Sequence, residues 1–278
     1  LRTGRLAGIR ARYPTVAVTE SVEDILADPA VHAVAIATPV ATHYDLAMKA
    51  LRAGKHVFAE KPLTDSSIRA RRLVDEAERR GLVLAVDHTF IHTSAVRMMR
   101  DLAESSLGDL YYYDSVRVNL GLFQQDVSVV WDLAVHDLSI MDYVLPQRPV
   151  AIAATGMSHV SGGPANIAYL TLYFPGHLIA HVHVNWLAPV KIRRTLLGGS
   201  HKMIVYDDLE PSEKIKVYDK GITVSDARAR GGDARRQQLI GYRSGDMTAP
   251  HLDIEEALGR ELREFVSCIE SAAVPVAD

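Results

Sequence analysis

Residues 33–62, AVAIATPVATHYDLAMKALRAGKHVFAEKP, decide the fold. Ala33–Ala37 is a continuous run of small apolar residues, the pattern of a strand covered on both faces. The spacing then predicts a helix over His43–Arg52, stopped at Gly54, and a second strand over His56–Ala59. Strand, helix, strand is a crossover unit, and such units build parallel sheets.

The same alternation extends in both directions. Upstream, Leu1–Tyr13 reads as an arginine-rich helix stopped by Pro14, and Val16–Val18 as a short strand. Ser21 caps a short helix through Leu26, with Glu23 and Asp24 at its positive end. Downstream, Thr64-Asp65-Ser66 offers caps for a long helix ending near Gly81. A strand over Val83–Val86 and a helix over Ser94–Glu104 follow.

After Gly108 strands dominate: Leu110–Leu120, Ala151–Gly156, Ile167–Phe174, Leu178–Trp186, Lys191–Gly198, Lys202–Tyr206 and Lys214–Tyr218. Many alternate apolar with polar, as in an antiparallel sheet with one wet face. A helix over Trp131–Val144 interrupts them. Ser225–Gly245, rich in Gly, Arg and Asp, reads as a mobile loop, and Ile254–Ser271 as a final amphipathic helix. The fold class expected is α/β. A partial Rossmann-type parallel-sheet domain (residues 1–106) precedes an α+β domain (107–278) with a large open, mostly antiparallel sheet.

Composition narrows the function. A net charge of −3 leaves no basic excess for a phosphate backbone, so nucleic acid is not an expected partner. No apolar run is long enough to span a bilayer. The single cysteine, Cys268, rules out an internal disulfide framework and a multi-cysteine metal site. No signal peptide is visible after Leu1, and a cytoplasmic setting is expected.

A dinucleotide-binding domain normally opens with a strand, G-x-G-x-x-G and a helix. Gly4 and Gly8 have no strand before them, and Gly198-Gly199 and Gly231-Gly232 lack the third glycine. The chain opens on leucine and ends abruptly at Val276-Ala277-Asp278, so truncation at both ends is expected, with the first βαβ unit missing.

Ala53–Pro62 reads AGKHVFAEKP, with Ala37-Thr38-Pro39 and His43 upstream. Taken alone, Glu60-Lys61-Pro62 is also a surface loop with a solvated lysine. The whole stretch Val34–Leu63 resembles the core signature of the glucose-fructose oxidoreductase / inositol dehydrogenase / MocA family of nicotinamide-dependent oxidoreductases. The resemblance implies NAD or NADP as cofactor, bound near Thr38, Pro39, His43, Glu60 and Lys61. It also implies a frequently cis Lys61–Pro62 peptide and a Lys61 that reaches the substrate hydroxyl, where an ammonium would stabilise negative charge.

The second motif is Trp131-Asp132-Leu133-Ala134-Val135-His136-Asp137. Asp132 and His136 are four apart and share a helix face, which is also the spacing of an ordinary helix-face pair. It resembles the family's D-x-x-x-H, which implies that Asp132 and His136 join Lys61 as catalytic residues. An imidazole, titrating near neutrality, suits removal of a hydroxyl proton as hydride leaves the same carbon. Asp137 reads as a structural or surface carboxylate. Arg117, Asn119 and Gln124 are candidate substrate contacts, and equally residues of a solvated strand edge.

His181 and His183 share one strand face, but nearby carboxylate and cysteine ligands are lacking, so no metal site is expected. Tyr111–Tyr113 are explained by β-propensity. The activity the resemblance implies is oxidoreduction at a hydroxyl or keto group of a sugar or nucleotide-sugar. The alternative is a non-catalytic sugar-binding or scaffold protein without a cofactor cradle. The wide open sheet further suggests a homo-oligomer, a dimer or tetramer.

Overall fold

The computed structural model describes residues 3–121, 127–225 and 239–277. It packs as two units: Leu1–Asp87 with Glu261–Asp278, and His88–Arg260.

The first unit runs α1 (Thr3–Arg12), α2 (Val22–Ala27), β1 (Ala33–Ile36), α3 (His43–Arg52), β2 (His56–Ala59), α4 (Ser67–Arg80) and β3 (Leu84–Val86). The strands pair in parallel in the order β1-β2-β3, with Val34 beside Val57 and Val57 beside Leu84. Their near-continuous apolar character has a direct cause. Ile36, Val57, Ala59 and Leu84 pack with Ala47, Ala50 and Leu51 of α3 and with Leu73 and Ala77 of α4. Phe58, Val83 and Ala85 pack instead with Phe265 and Cys268 of the C-terminal helix (α7, Ala257–Ser271). β2 and β3 are thus covered on both faces, whereas β1 leaves Ala35 exposed, short of the two-sided cover expected for its apolar run. Gly81 ends α4 at φ 65°, a left-handed cap whose N–H reaches the carbonyls of Ala77 and Glu78.

The expected strand at Val16–Val18 does not form. Val16 is exposed, and its N–H bonds the carbonyl of Tyr13 in a turn after Pro14. Val16 and Ala17 are exposed, and no neighbouring strand offers this segment a ladder to join.

The second unit runs α5 (Ser94–Ser105), β4 (Leu110–Leu120), α6 (Val135–Val144), β5 (Ala151–Met157), β6 (Ile167–Tyr173), β7 (Ile179–Asn185), β8 (Leu187–Gly199), β9 (Met203–Asp207), β10 (Ile215–Tyr218), β11 (Gly221–Ser225), β12 (Leu239–Arg243) and β13 (Met247–Thr248). Eight strands form one sheet in the order β13-β10-β9-β8-β4-β7-β6-β5. Among the described residues only β4 and β7 pair in parallel within it. Strand alternation sends Tyr113, Val182, Trp186, Leu197, Ile204 and Tyr206 to one face, where they meet Val96 and Met99 of α5 and Ile140 of α6. Full burial of a large apolar side chain contributes about 1.5–3 kcal/mol. The opposite face exposes Tyr169, Tyr173 and Ile179. There Tyr169 stacks on His181 at 6.1 Å and on His183 at 4.4 Å between ring centroids. Burial, then the neighbouring His181, lowers the pKa of His183.

Of the segment expected as a mobile loop, Ser225–Gly245, residues 226–238 lie outside the described residues, and Leu239–Arg243 forms a strand instead: β12 pairs antiparallel with β11, from Gly221–Arg243 to Ser225–Leu239, so its backbone has a ladder that composition did not announce. Among the described residues no helix is long and apolar enough to cross a membrane. Nor do they hold a group of three His, Cys, Asp or Glu side chains placed to hold a metal ion.

Candidate active site

In the first unit the candidate residues lie where two parallel strands end. Thr38 and Pro39 follow β1 and are exposed; Glu60 and Lys61 follow β2 and are half-buried. Open parallel sheets bind ligands outside the carboxyl ends of their strands. The first residue of α3 joins the two loops. His43, 1% exposed, sets Nε2 at 2.7 Å from the Thr38 carbonyl and Nδ1 at 3.0 Å from the Pro62 carbonyl. The Lys61–Pro62 peptide is cis. The Thr38 hydroxyl lies 2.7 Å from that of Thr42, which donates to the Pro39 carbonyl at 2.7 Å. Burial, then the neighbouring Asp87 carboxylate, raises the pKa of Glu60; Lys61 opposes this in part.

Together these residues make a polar strand end, partly open to solvent and backed by a buried histidine that bridges both loops. The described residues contain no strand, Gly-x-Gly-x-x-Gly turn and helix in series, the arrangement that cradles a pyrophosphate.

In the second unit Asp132 and His136 sit where one helix changes form. Val130–Ala134 winds as a π-helical turn and passes directly into α6, which opens at Val135. Such turns concentrate at functional sites because the wider ring re-aims side chains. Both residues are half-buried. Trp186, 1% exposed, donates its indole N–H to Asp132 Oδ2 at 3.0 Å. The Trp186 carbonyl accepts the N–H of Gly121. Gly121 has to be glycine, since a Cβ there would lie 2.8 Å from Trp186 Cδ1 and 3.2 Å from Asn119 Nδ2.

Arg117, two residues before Asn119 on β4, is buried. Its Nε donates to Asp137 Oδ2 at 2.7 Å, and the Ser115 hydroxyl donates to Asp137 Oδ1 at 2.5 Å. Asp137 is therefore a structural carboxylate. Gln124 lies outside the described residues. Phe90, in the 3₁₀ turn Thr89–His92, contacts the His136 ring edge-to-face with centroids 5.0 Å apart. Neither Phe90 nor Trp186 is recognisable from sequence as a partner of the motif. Each is an ordinary apolar residue until the fold brings it there.

Residues 4–88 match the model of an oxidoreductase family with an NAD-binding Rossmann fold, and residues 102–205 match the GFO/IDH/MocA C-terminal domain. The chain belongs to the Gfo/Idh/MocA oxidoreductase family. Over 225 residues it is 36% identical to a dTDP-3,4-didehydro-2,6-dideoxy-alpha-D-glucose 3-reductase of Saccharopolyspora spinosa, covering 76% of this chain and 68% of that one. Over 204 residues it is 34% identical to a UDP-N-acetylglucosamine 3-dehydrogenase of Acidithiobacillus ferrooxidans, covering 72% of this chain and 62% of the relative. A crystal structure of the Acidithiobacillus enzyme superposes with a TM-score of 0.80 at 24% identity, over 100% of this chain and 81% of that one. That likeness speaks for the fold.

Proposed function

We propose that this Gfo/Idh/MocA chain is an NAD- or NADP-dependent oxidoreductase that acts on a hydroxyl or keto group of a nucleotide-bound sugar. The observation that carries the reading is the D-x-x-x-H run on a π-to-α junction, its carboxylate already fixed by a buried indole, in a chain that also carries Lys61 at the end of β2. Two relatives named for chemistry at position 3 of a nucleotide-linked hexose favour that substrate class.

Thr38, Pro39 and Lys61 would hold the nicotinamide end of the cofactor, with His43 and Glu60 shaping the loops around it. When bound, the nicotinamide supplies hydride exchange with the substrate carbon. Lys61 would donate a hydrogen bond to the reacting oxygen and favour its negatively charged form. In oxidation His136 would take the hydroxyl proton, and in reduction return it. Asp132, held by Trp186, would orient the imidazole or a neighbouring sugar hydroxyl. Arg117, Asn119 and Gln124 are the proposed substrate contacts, and the burial of Arg117 favours an indirect part for it.

The test is turnover with NAD or NADP and UDP-N-acetylglucosamine or a dTDP-linked hexose, in the native chain and in His136→Ala. Loss of the acid/base should lower turnover on the order of 10²–10⁴-fold while cofactor affinity stays the same. Near-normal turnover in His136→Ala would remove Asp132 and His136 from the chemistry.

A further inference from the structure

We propose that Phe90 is a positioning residue for His136, and that the buried Arg117–Asp137 ion pair sets Phe90 in turn. The proposal rests on the reading of His136 as the acid/base.

The argument starts from the strand. Alternation along β4 brings Tyr113, Ser115 and Arg117 to the face that packs on α6. Asp137, one residue after His136, points back at that face. It accepts from Ser115 at 2.5 Å and from Arg117 Nε at 2.7 Å. With side-chain exposures of 4% for Arg117 and 3% for Asp137, neither partner can exchange the other for water. The guanidinium is therefore held in one plane and one place.

Its Cζ lies 4.5 Å from the centroid of the Phe90 ring, and a second guanidinium, Arg193, lies 5.7 Å from the same ring. A cation over a ring face is attracted by the quadrupole of that ring, and planar guanidinium stacks where ammonium does not. Phe90 so placed meets the His136 imidazole with centroids 5.0 Å apart and planes at 70°. This edge-to-face arrangement is a preferred one for two rings.

The contacts close on themselves. Asp137 fixes Arg117, Arg117 fixes Phe90, Phe90 limits the rotation of His136, and one peptide bond joins His136 to Asp137. A proton-transfer group has to be held within a fraction of an ångström of its working position. A closed circuit of this kind supplies that restraint from the side of the ring. Phe90 thus has a part beyond filling the core.

The variants Phe90→Leu and Phe90→Tyr, made in the full chain, carry the test, with turnover and the imidazole proton resonances of His136 as readouts. The His136 signals are assigned by their absence in His136→Ala. Phe90→Leu keeps an apolar side chain without a ring. It should shift the His136 resonances and lower kcat about three- to tenfold, the range an aromatic pair contributes, with an unchanged KM for NAD or NADP. Phe90→Tyr should restore both readouts. If Phe90→Leu does not fold, Arg117→Lys, which keeps the charge opposite Asp137 but cannot stack, should shift the same signals. Unchanged His136 resonances in whichever of these variants folds overturn the proposal, as does loss of kcat that Phe90→Tyr fails to rescue. Normal turnover in His136→Ala together with shifted resonances in Phe90→Leu removes the acid/base reading alone. The positioning of the ring then still stands.

Discussion

Replacing Asp137 with alanine would leave the Arg117 charge in the interior. The guanidinium is almost wholly buried, and its Nη1 already has no hydrogen-bond partner, so the Asp137 carboxylate is the counter-charge that its burial depends on. Ser115, 1% exposed, loses its acceptor in the same step. Breaking one side of a buried pair costs about 3–5 kcal/mol, because the desolvated charge remains without compensation. In a unit of this size each kcal/mol corresponds to about 2–4 °C, so Asp137→Ala should lower the melting temperature by about 6–20 °C. Circular dichroism during urea and thermal unfolding reads this directly. The double variant Arg117→Leu/Asp137→Leu removes both charges and should recover most of the loss, since apolar replacement of a whole buried pair is often neutral. A loss below about 1 kcal/mol in Asp137→Ala would refute the reasoning, because the charge would then have found solvent or another partner.

Two further outcomes are expected. Trp186→Phe removes the N–H that Asp132 accepts; kcat should fall about tenfold, in line with a hydrogen bond to a charged group, and the same change in an Asp132→Ala background should add nothing. An additive loss in that background would mean that Trp186 acts by packing alone. His56 accepts the Val83 N–H on Nδ1 at 2.9 Å, which requires an unprotonated nitrogen, and burial, then the neighbouring His32, lowers its pKa. The folded state therefore binds fewer protons than the unfolded chain just below the free-histidine value of about 6.5, so stability should fall as pH drops through that region. His56→Asn, whose Oδ1 can accept the same N–H, should flatten this slope in urea midpoints taken across it; an identical slope would show that another group sets it.

Much of this fold is legible in local pattern. β4 and β10, and α3 and α4, start or end within a residue or two of where periodicity and caps place them, because apolar spacing and a left-handed glycine such as Gly81 act over a few residues. Val16–Val18 has strand composition, yet strand formation needs a partner ladder, which composition does not encode. The candidate site divides in the same way. Lys61, Asp132 and His136 are recognisable because their neighbours in sequence form a signature. Trp186 and Phe90 reach Asp132 and His136 from 54 and 46 positions away (186 − 132 and 136 − 90), and no local pattern announces them. Arg117 shows the opposite difficulty: an arginine on a strand beside a candidate pocket resembles a substrate contact, and only the opposing Asp137 reveals that its charge is spent inside the protein.

The parallel pairing of β4 with β7 has a consequence for how the chain is made. β4 lies at the centre of the large sheet, between β7 and β8, and the crossover that returns the chain to it contains α6, β5 and β6. While the protein is being synthesised, β4 emerges with both hydrogen-bonding edges open and stays so until Ile179–Gly199 has followed it out of the ribosome. Domains with such distant pairings fold slowly and leave strand edges exposed meanwhile.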